Sequence, residues 1–227
     1  MVKRKTPTPN RWYRHLFHRK EVLKTTWKLR LLVILVLISS VVLPRRFWAK
    51  EIGQSLVCSE QADHSDALLL ENFDIHYLVF ERAAALEKVG LAPRAFVPTS
   101  MSRNSSAPNE VSRRFVEVMV SMSGLKQYEI IPIREIEPIS LNAAKQILDS
   151  LNEEHIKSVV VLSPGFRSRR SEMVYKAVLE PAGIRVGCVA VFGGNETLGN
   201  WADTWHGIQN TVEQFFKLQY YRFYVLL

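Results

Sequence analysis

Three arginines crowd the segment Ser163-Pro164-Gly165-Phe166-Arg167-Ser168-Arg169-Arg170, directly after the apolar run Val159-Val160-Val161-Leu162. A β-branched run feeding a Ser-Pro-Gly turn and then a helical pattern predicts a strand-to-helix junction. In an open α/β sheet, ligands bind at such junctions, outside the carboxyl ends of the strands. A helix N-terminus already carries partial positive charge, so cations crowded there call for something negative. At the helical period, Phe166, Met173, Val174, Ala177 and Val178 form one apolar stripe, and Arg170 falls inside it. An inward guanidinium is costly unless paired, and a buried carboxylate and a ligand anion are both open as partners. Arg167 and Arg169 lie at opposite edges of the stripe, where a solvated face competes with a ligand contact. Ser163 and the backbone at Gly165 complete the candidate anion site.

Two other strand exits carry polar groups. The exit of the third strand holds Arg134, Glu135 and Glu137, followed by Ser140 and Asn142. Ser140 is a good N-cap for the next helix. Glu135 or Glu137 could hold a ligand hydroxyl, act as a base, or pair with Arg170. The exit of the first strand, from Glu71 and Asn72 to His76, has no glycine. Phosphate-binding turns are usually glycine-rich so that backbone N–H groups can approach the anion. Here Glu71 and Asn72 offer side chains instead, which argues against a dinucleotide cradle. His76 reads as a surface residue, with a base role as the alternative, and Gly193-Gly194 reads as a loop turn. No nucleophile elbow, P-loop or HExxH zinc motif is present, and no Cys/His cluster has metal-ligand spacing. No motif names a cofactor.

The elements that must position these groups alternate. Strands are expected over Ala67–Glu71, Ala95–Pro98, Tyr128–Ile133, Ser158–Leu162 and Ile184–Val191. Helices are expected over Tyr77–Val89, Glu110–Met122, from Ser140 to Leu151, after Ser163, and from Trp205 to Tyr220. This alternation predicts an α/β fold, a three-layer Rossmann-like and mostly parallel sheet of about five strands. Cys58 and Cys188 are too few for a disulfide framework, and Cys188, inside a strand, reads as a small buried core residue.

Charge divides the chain. The first thirty residues hold ten Lys/Arg and one acid, whereas from Glu51 onward seventeen Lys/Arg face twenty-one Asp/Glu. A basic arm on a mildly acidic body argues against a nucleic-acid-binding domain and fits a segment beside anionic lipid. Between them lies the uncharged run Leu31–Leu43, 13 residues long. A span needs roughly 20 residues. Trp27, Phe47 and Trp48 can anchor at the interfaces, and Lys28, Arg30, Arg45 and Arg46 can snorkel. One transmembrane helix over 27–48 is therefore expected, after a basic cytoplasmic arm of 1–26 and before a connector of 49–61. A cleaved signal peptide is the rival reading. Against it stand the long basic region and the absence of a small-x-small cleavage site. The basic bias places the N-terminus inside and the domain outside, although Arg45 and Arg46 work against it.

Five segments, in order, resemble one bacterial family, the domain of unknown function shared by YdcF, SanA and ElyC (the YdcF-like family). They are Ala62–Leu70, Ala84–Pro93, Glu135–Leu148, Ser158–Ser171 and Asn200–Tyr221. The likeness runs from about Ala62 to Tyr221, and the α/β domain is expected over 62–227. Glu71-Asn72 stand where the family has Gly-Gly, Leu141 where it has Thr, and Arg167 where it has His, while Arg170 matches the family's arginine. The resemblance implies a membrane-anchored protein of the bacterial inner membrane with its domain on the periplasmic side, acting in cell-envelope or cell-wall biogenesis. The expected ligand is anionic, a phosphorylated or lipid-linked saccharide held by Arg170, Arg167, Gly165, Ser163, Ser140, Asn142, Glu71 and Asn72. The expected partners are that ligand and membrane lipid. Two alternatives stay open: a non-catalytic envelope scaffold, and an enzyme binding a nucleotide or S-adenosylmethionine.

Overall fold

Five apolar runs form the strands of one sheet: β1 (Ala67–Leu70), β2 (Ala95–Ser100), β3 (Tyr128–Ile133), β4 (Ser158–Pro164) and β5 (Arg185–Val191). The computed structural model describes residues 26–59, 63–71, 73, 76–102, 106–194 and 197–226. The spatial order is β3-β2-β1-β4-β5, and every neighbouring pair is parallel. Among the described residues there are seven α-helices: α1 (Trp27–Val42), α2 (Arg45–Leu56), α3 (Tyr77–Lys88), α4 (Glu110–Ser123), α5 (Ile139–Glu153), α6 (Ser168–Leu179) and α7 (Trp205–Tyr220).

A parallel sheet is covered on both faces, so its central strands are apolar throughout rather than alternating. All of β1, and all of β4 but its last residue, are buried. On one face Leu69, Phe96 and Val161 pack with Ile147 of α5 and Val174 of α6. On the other, Leu68, Leu70, Val97 and Val160 pack with Phe80 of α3 and Val116 of α4. The result is the expected three-layer, Rossmann-like α/β fold. The chain leaves β1 toward β2 on one side, and β4 adjoins β1 on the other. The strand order therefore reverses between β1 and β4, where such folds hold their ligands.

The region before β1 differs from expectation. The helix expected over 27–48 stops at Val42, and a second helix starts at Arg45. Pro44 sits at the break; it has no N–H to donate to the ladder. No helix among the described residues is long and apolar enough to cross a membrane alone. The 16 residues of α1 rise about 24 Å, against a hydrocarbon core of about 30 Å. α1 belongs to one unit and everything from Arg45 onward to another. The basic arm of residues 1–25 lies outside the described residues.

The expected connector of 49–61 is likewise not a tether. Its first half is α2, which buries Ala49 and Leu56 in a satellite core with Phe166, Trp201 and Leu218. Trp201 Nε1 donates to the carbonyl of Ala49 at 2.8 Å. After α2, Cys58 is bonded to Cys188 of β5. Cys188 is fully buried, as expected, yet it is a disulfide cysteine and not a free core thiol. The Cys58 N–H donates to Ser168 Oγ at 3.0 Å, and that hydroxyl donates to the carbonyl of Gly165 at 2.6 Å. The segment before β1 is thereby fastened to the Ser-Pro-Gly junction.

Candidate functional site

β4 runs to Pro164 before the chain enters a tight helical turn over Gly165–Arg167 and then α6. Gly165 is required by crowding: a Cβ there would lie 2.5 Å from the Phe192 ring. The turn aims Arg167 and Arg170 into a cleft of about 390 Å³ outside the carboxyl ends of the strands. Phe73, Glu135, Glu137, Ile139 and Ser140 line it from the exits of β1 and β3 and the start of α5. Lys217, Tyr220 and Tyr221 close it from α7 and the π-helical turn that follows.

Arg170 points inward, as the helical stripe requires. It is buried, and its guanidinium carbon lies 5.5 Å from the centre of the Tyr221 ring. Such stacking suits a planar, weakly hydrated cation. The Tyr221 hydroxyl accepts the Ser140 N–H at 3.1 Å. Ser140 is therefore not the cap of α5. Pro138 holds the N-cap position, and the orphan N–H of Ser140 is satisfied by a side chain 81 residues away. Ser100 Oγ donates to Glu135. Arg169 faces away from this cleft, toward a larger one, and pairs with Glu172 at 2.9 Å.

The remaining candidates separate from the cleft. Asn142 caps the turn before α5, its amide donating to the carbonyls of Ile136 and Glu137 at 3.1 and 3.0 Å. Asn72 lies outside the described residues. His76 is half-buried at the N-cap of α3 and packs near Gly193. Glu71 and Ser163 are fully buried at the β1–β4 reversal, and Glu71 accepts hydrogen bonds from Ser163 Oγ and Ser171 Oγ. That carboxylate fills the place where a glycine-rich turn would bring backbone N–H groups to a phosphate.

Tyr175 lies in the core one turn below Ser171. Burial pushes its phenol well above the usual tyrosine range, the Glu71 carboxylate pushes it the same way, and the Arg170 guanidinium opposes them. Its hydroxyl has no hydrogen-bond partner among the described residues. An unfolded tyrosine ionises near pH 10. The raised folded value means that the unfolded state loses its proton first. This contribution to stability is full below about pH 10 and falls by about 1.4 kcal/mol per pH unit above it, until the folded value is reached. Tyr175→Phe is expected to flatten that alkaline fall in urea titrations. At neutral pH it should leave stability unchanged or raise it by about 1 kcal/mol, because it removes an orphan buried hydroxyl.

The structure thus unites Arg167, Arg170, Ser140, Glu135 and Glu137, and sets Ser163, Gly165, Glu71 and Asn142 around or beneath them. Sequence reasoning missed Lys217, Tyr220 and Tyr221. Their signal is the run Lys217, Tyr220, Tyr221, Phe223 and Tyr224, which is too aromatic for a solvated helix end. Lys217 is already paired with Glu213 on α7 at 2.5 Å, so Arg167 and Arg170 are the cations that face Glu135 and Glu137 across the cleft. The N-termini of α5 and α6 open on it, an arrangement suited to an anion. No family model matches the chain, and no curated protein matches it.

Proposed function

We propose that this is a membrane-anchored protein of the YdcF-like kind whose α/β domain binds an anionic ligand. The ligand class is a phosphorylated or lipid-linked saccharide of the bacterial cell envelope. The observation that carries the reading is the convergence of Arg167 and Arg170 on one cleft at the strand ends. Arg170 is the main anion contact. Glu135 and Glu137 on the opposite wall suit sugar hydroxyls, and either would be the base of a phosphoryl or glycosyl transfer if one occurs.

The membrane anchor in this reading is α1, whose shortfall against the hydrocarbon core is met by local bilayer thinning and by the snorkelling cations Lys28, Arg30, Arg45 and Arg46 at its ends. Its large apolar side chains are exposed from Leu31 to Ile38, and Val42 and Leu43 are exposed after them. The bridge between Cys58 and Cys188 supports the periplasmic side of the inner membrane, because such bonds persist in oxidising compartments. One observation favours the alternative of a non-catalytic scaffold: Glu71 is buried and bonded within the protein at the β1–β4 reversal. The same residue argues against a nucleotide or S-adenosylmethionine site.

Titration of the full chain in nanodiscs with a polyprenyl phosphate, a sugar phosphate and inorganic phosphate tests the reading. Arg170→Gln should weaken binding of the preferred ligand by about 10- to 100-fold, the loss of a charged hydrogen bond worth about 1.5–3 kcal/mol. Equal curves for Arg170→Gln and the parent protein would remove the anion-site assignment.

A further inference from the structure

One uncovered face of α7 is largely aromatic, with Gln209 as the polar residue within it. Trp205, Val212, Phe216, Tyr220 and Phe223 are 72%, 45%, 67%, 47% and 62% exposed. At the helical period the first four fall within about 80° of one another. The opposite face carries the buried residues Thr211, Gln214 and Leu218. A surface helix ordinarily turns its polar side outward, and a contiguous apolar patch marks an interaction site.

A second exposed aromatic pair lies on α2, which packs against α7. Phe47 and Trp48, in the first turn of α2, are exposed. Arg45 Nη2 is 4.0 Å from Asp203 Oδ1, two residues before Trp205. Arg45, Arg46, Lys217 and Arg222 are exposed; Arg45 and Lys217 pair with Asp203 and Glu213, and the Arg222 guanidinium lies 5.6 Å from the centre of the Phe223 ring. Arg45 follows Pro44 directly, so covalent continuity holds it next to the end of the apolar segment.

We infer that the aromatic face of α7 docks on the lipid bilayer that holds α1, with its rings at headgroup level. The inference rests on the anchored reading above and deepens it. Trp and Tyr prefer that level, where an apolar ring meets water. Arg46 and Arg222, the flanking cations outside those two ion pairs, match an anionic surface. Tyr220 belongs both to this face and to the candidate cleft. Docking therefore sets the mouth of the cleft among the headgroups, where a lipid-borne phosphate reaches Arg170 without leaving the membrane.

The test uses the full chain in vesicles of phosphatidylethanolamine and phosphatidylglycerol containing acyl-brominated lipid, which quenches nearby tryptophan. Trp205→Phe should remove part of the quenched emission. Phe216→Ser combined with Phe223→Ser, two exposed positions, should abolish the quenching of Trp205 while the chain stays in the carbonate-resistant membrane fraction. Carbonate resistance without Trp205 quenching overturns the docking alone. So does a cross-link between copies through α7 that the serine variant abolishes. Carbonate release with quenching retained overturns the anchor and keeps the docking, and loss of both overturns both.

Discussion

Replacing Cys58 and Cys188 together by alanine is expected to lower the unfolding free energy by about 3–5 kcal/mol. The two residues are 130 apart in sequence, so their bond closes a long loop in the unfolded chain. Loop-closure entropy alone gives about 5 kcal/mol for such a loop, and residual structure in the unfolded state lowers the figure. The bridge also holds the end of α2 against β5, beneath the hydrogen bond from the Cys58 N–H to Ser168. Urea unfolding of the full chain in detergent, followed by tryptophan fluorescence, measures the loss. Reductant should shift the parent protein toward the midpoint of the double variant and leave the variant where it is. A parent protein indifferent to reductant would withdraw the main support for an oxidising compartment.

That bridge also marks the limit of what the sequence discloses. Runs such as Ala67–Leu70 and Val159–Leu162 were legible as strands because burial on both faces leaves no polar residue in them. β1 and β3 lie almost where expected, while β2 and β4 run two residues further, through Ser100 and Pro164. Proline was misleading there, because one in a strand ordinarily marks its edge. α2 was not legible as part of the domain: its buried positions Ala49, Gly53 and Leu56 fall at helical spacing but two of them are small, and the satellite core around Trp201 that holds them comes from distant sequence. Two cysteines so distant in sequence say nothing about their distance in space.

The candidate site divides in the same way. Arg170 was legible as an inward residue because neighbours on one helix fix its direction. Its platform, Tyr221, was not, because α7 reaches the cleft only through tertiary packing. Nor was the role of Ser140. A serine after a proline reads as a cap, and only the fold brings the Tyr221 hydroxyl to its N–H.

Glu71 is the residue whose replacement separates the two readings of the domain. Glu71→Ala is expected to destabilise the protein by about 2–4 kcal/mol. The carboxylate is buried and accepts from both Ser163 and Ser171. Without it, those two hydroxyls can still bond each other across 3.1 Å, and Ser171 can donate to the carbonyl of Arg167 at 3.2 Å. Both hydroxyls thus keep an acceptor, and the cost is the loss of two hydrogen bonds to a carboxylate together with the cavity of the lost side chain. Glu71→Gln keeps the volume and one acceptor, so it should cost less than half as much. Its effect on binding is the informative part. If Glu71 only supports the turn beneath Arg170, Glu71→Gln leaves ligand affinity within about threefold of the parent, whereas Arg170→Gln loses tenfold or more. A large loss with Glu71→Gln at unchanged urea midpoint would put the ligand at the β1–β4 reversal itself, beneath the cleft lined by Arg167 and Lys217. No binding by the parent protein, together with the full stability loss in Glu71→Ala, would favour the scaffold. In that case the buried carboxylate is a structural plug in a fold that elsewhere opens at this position.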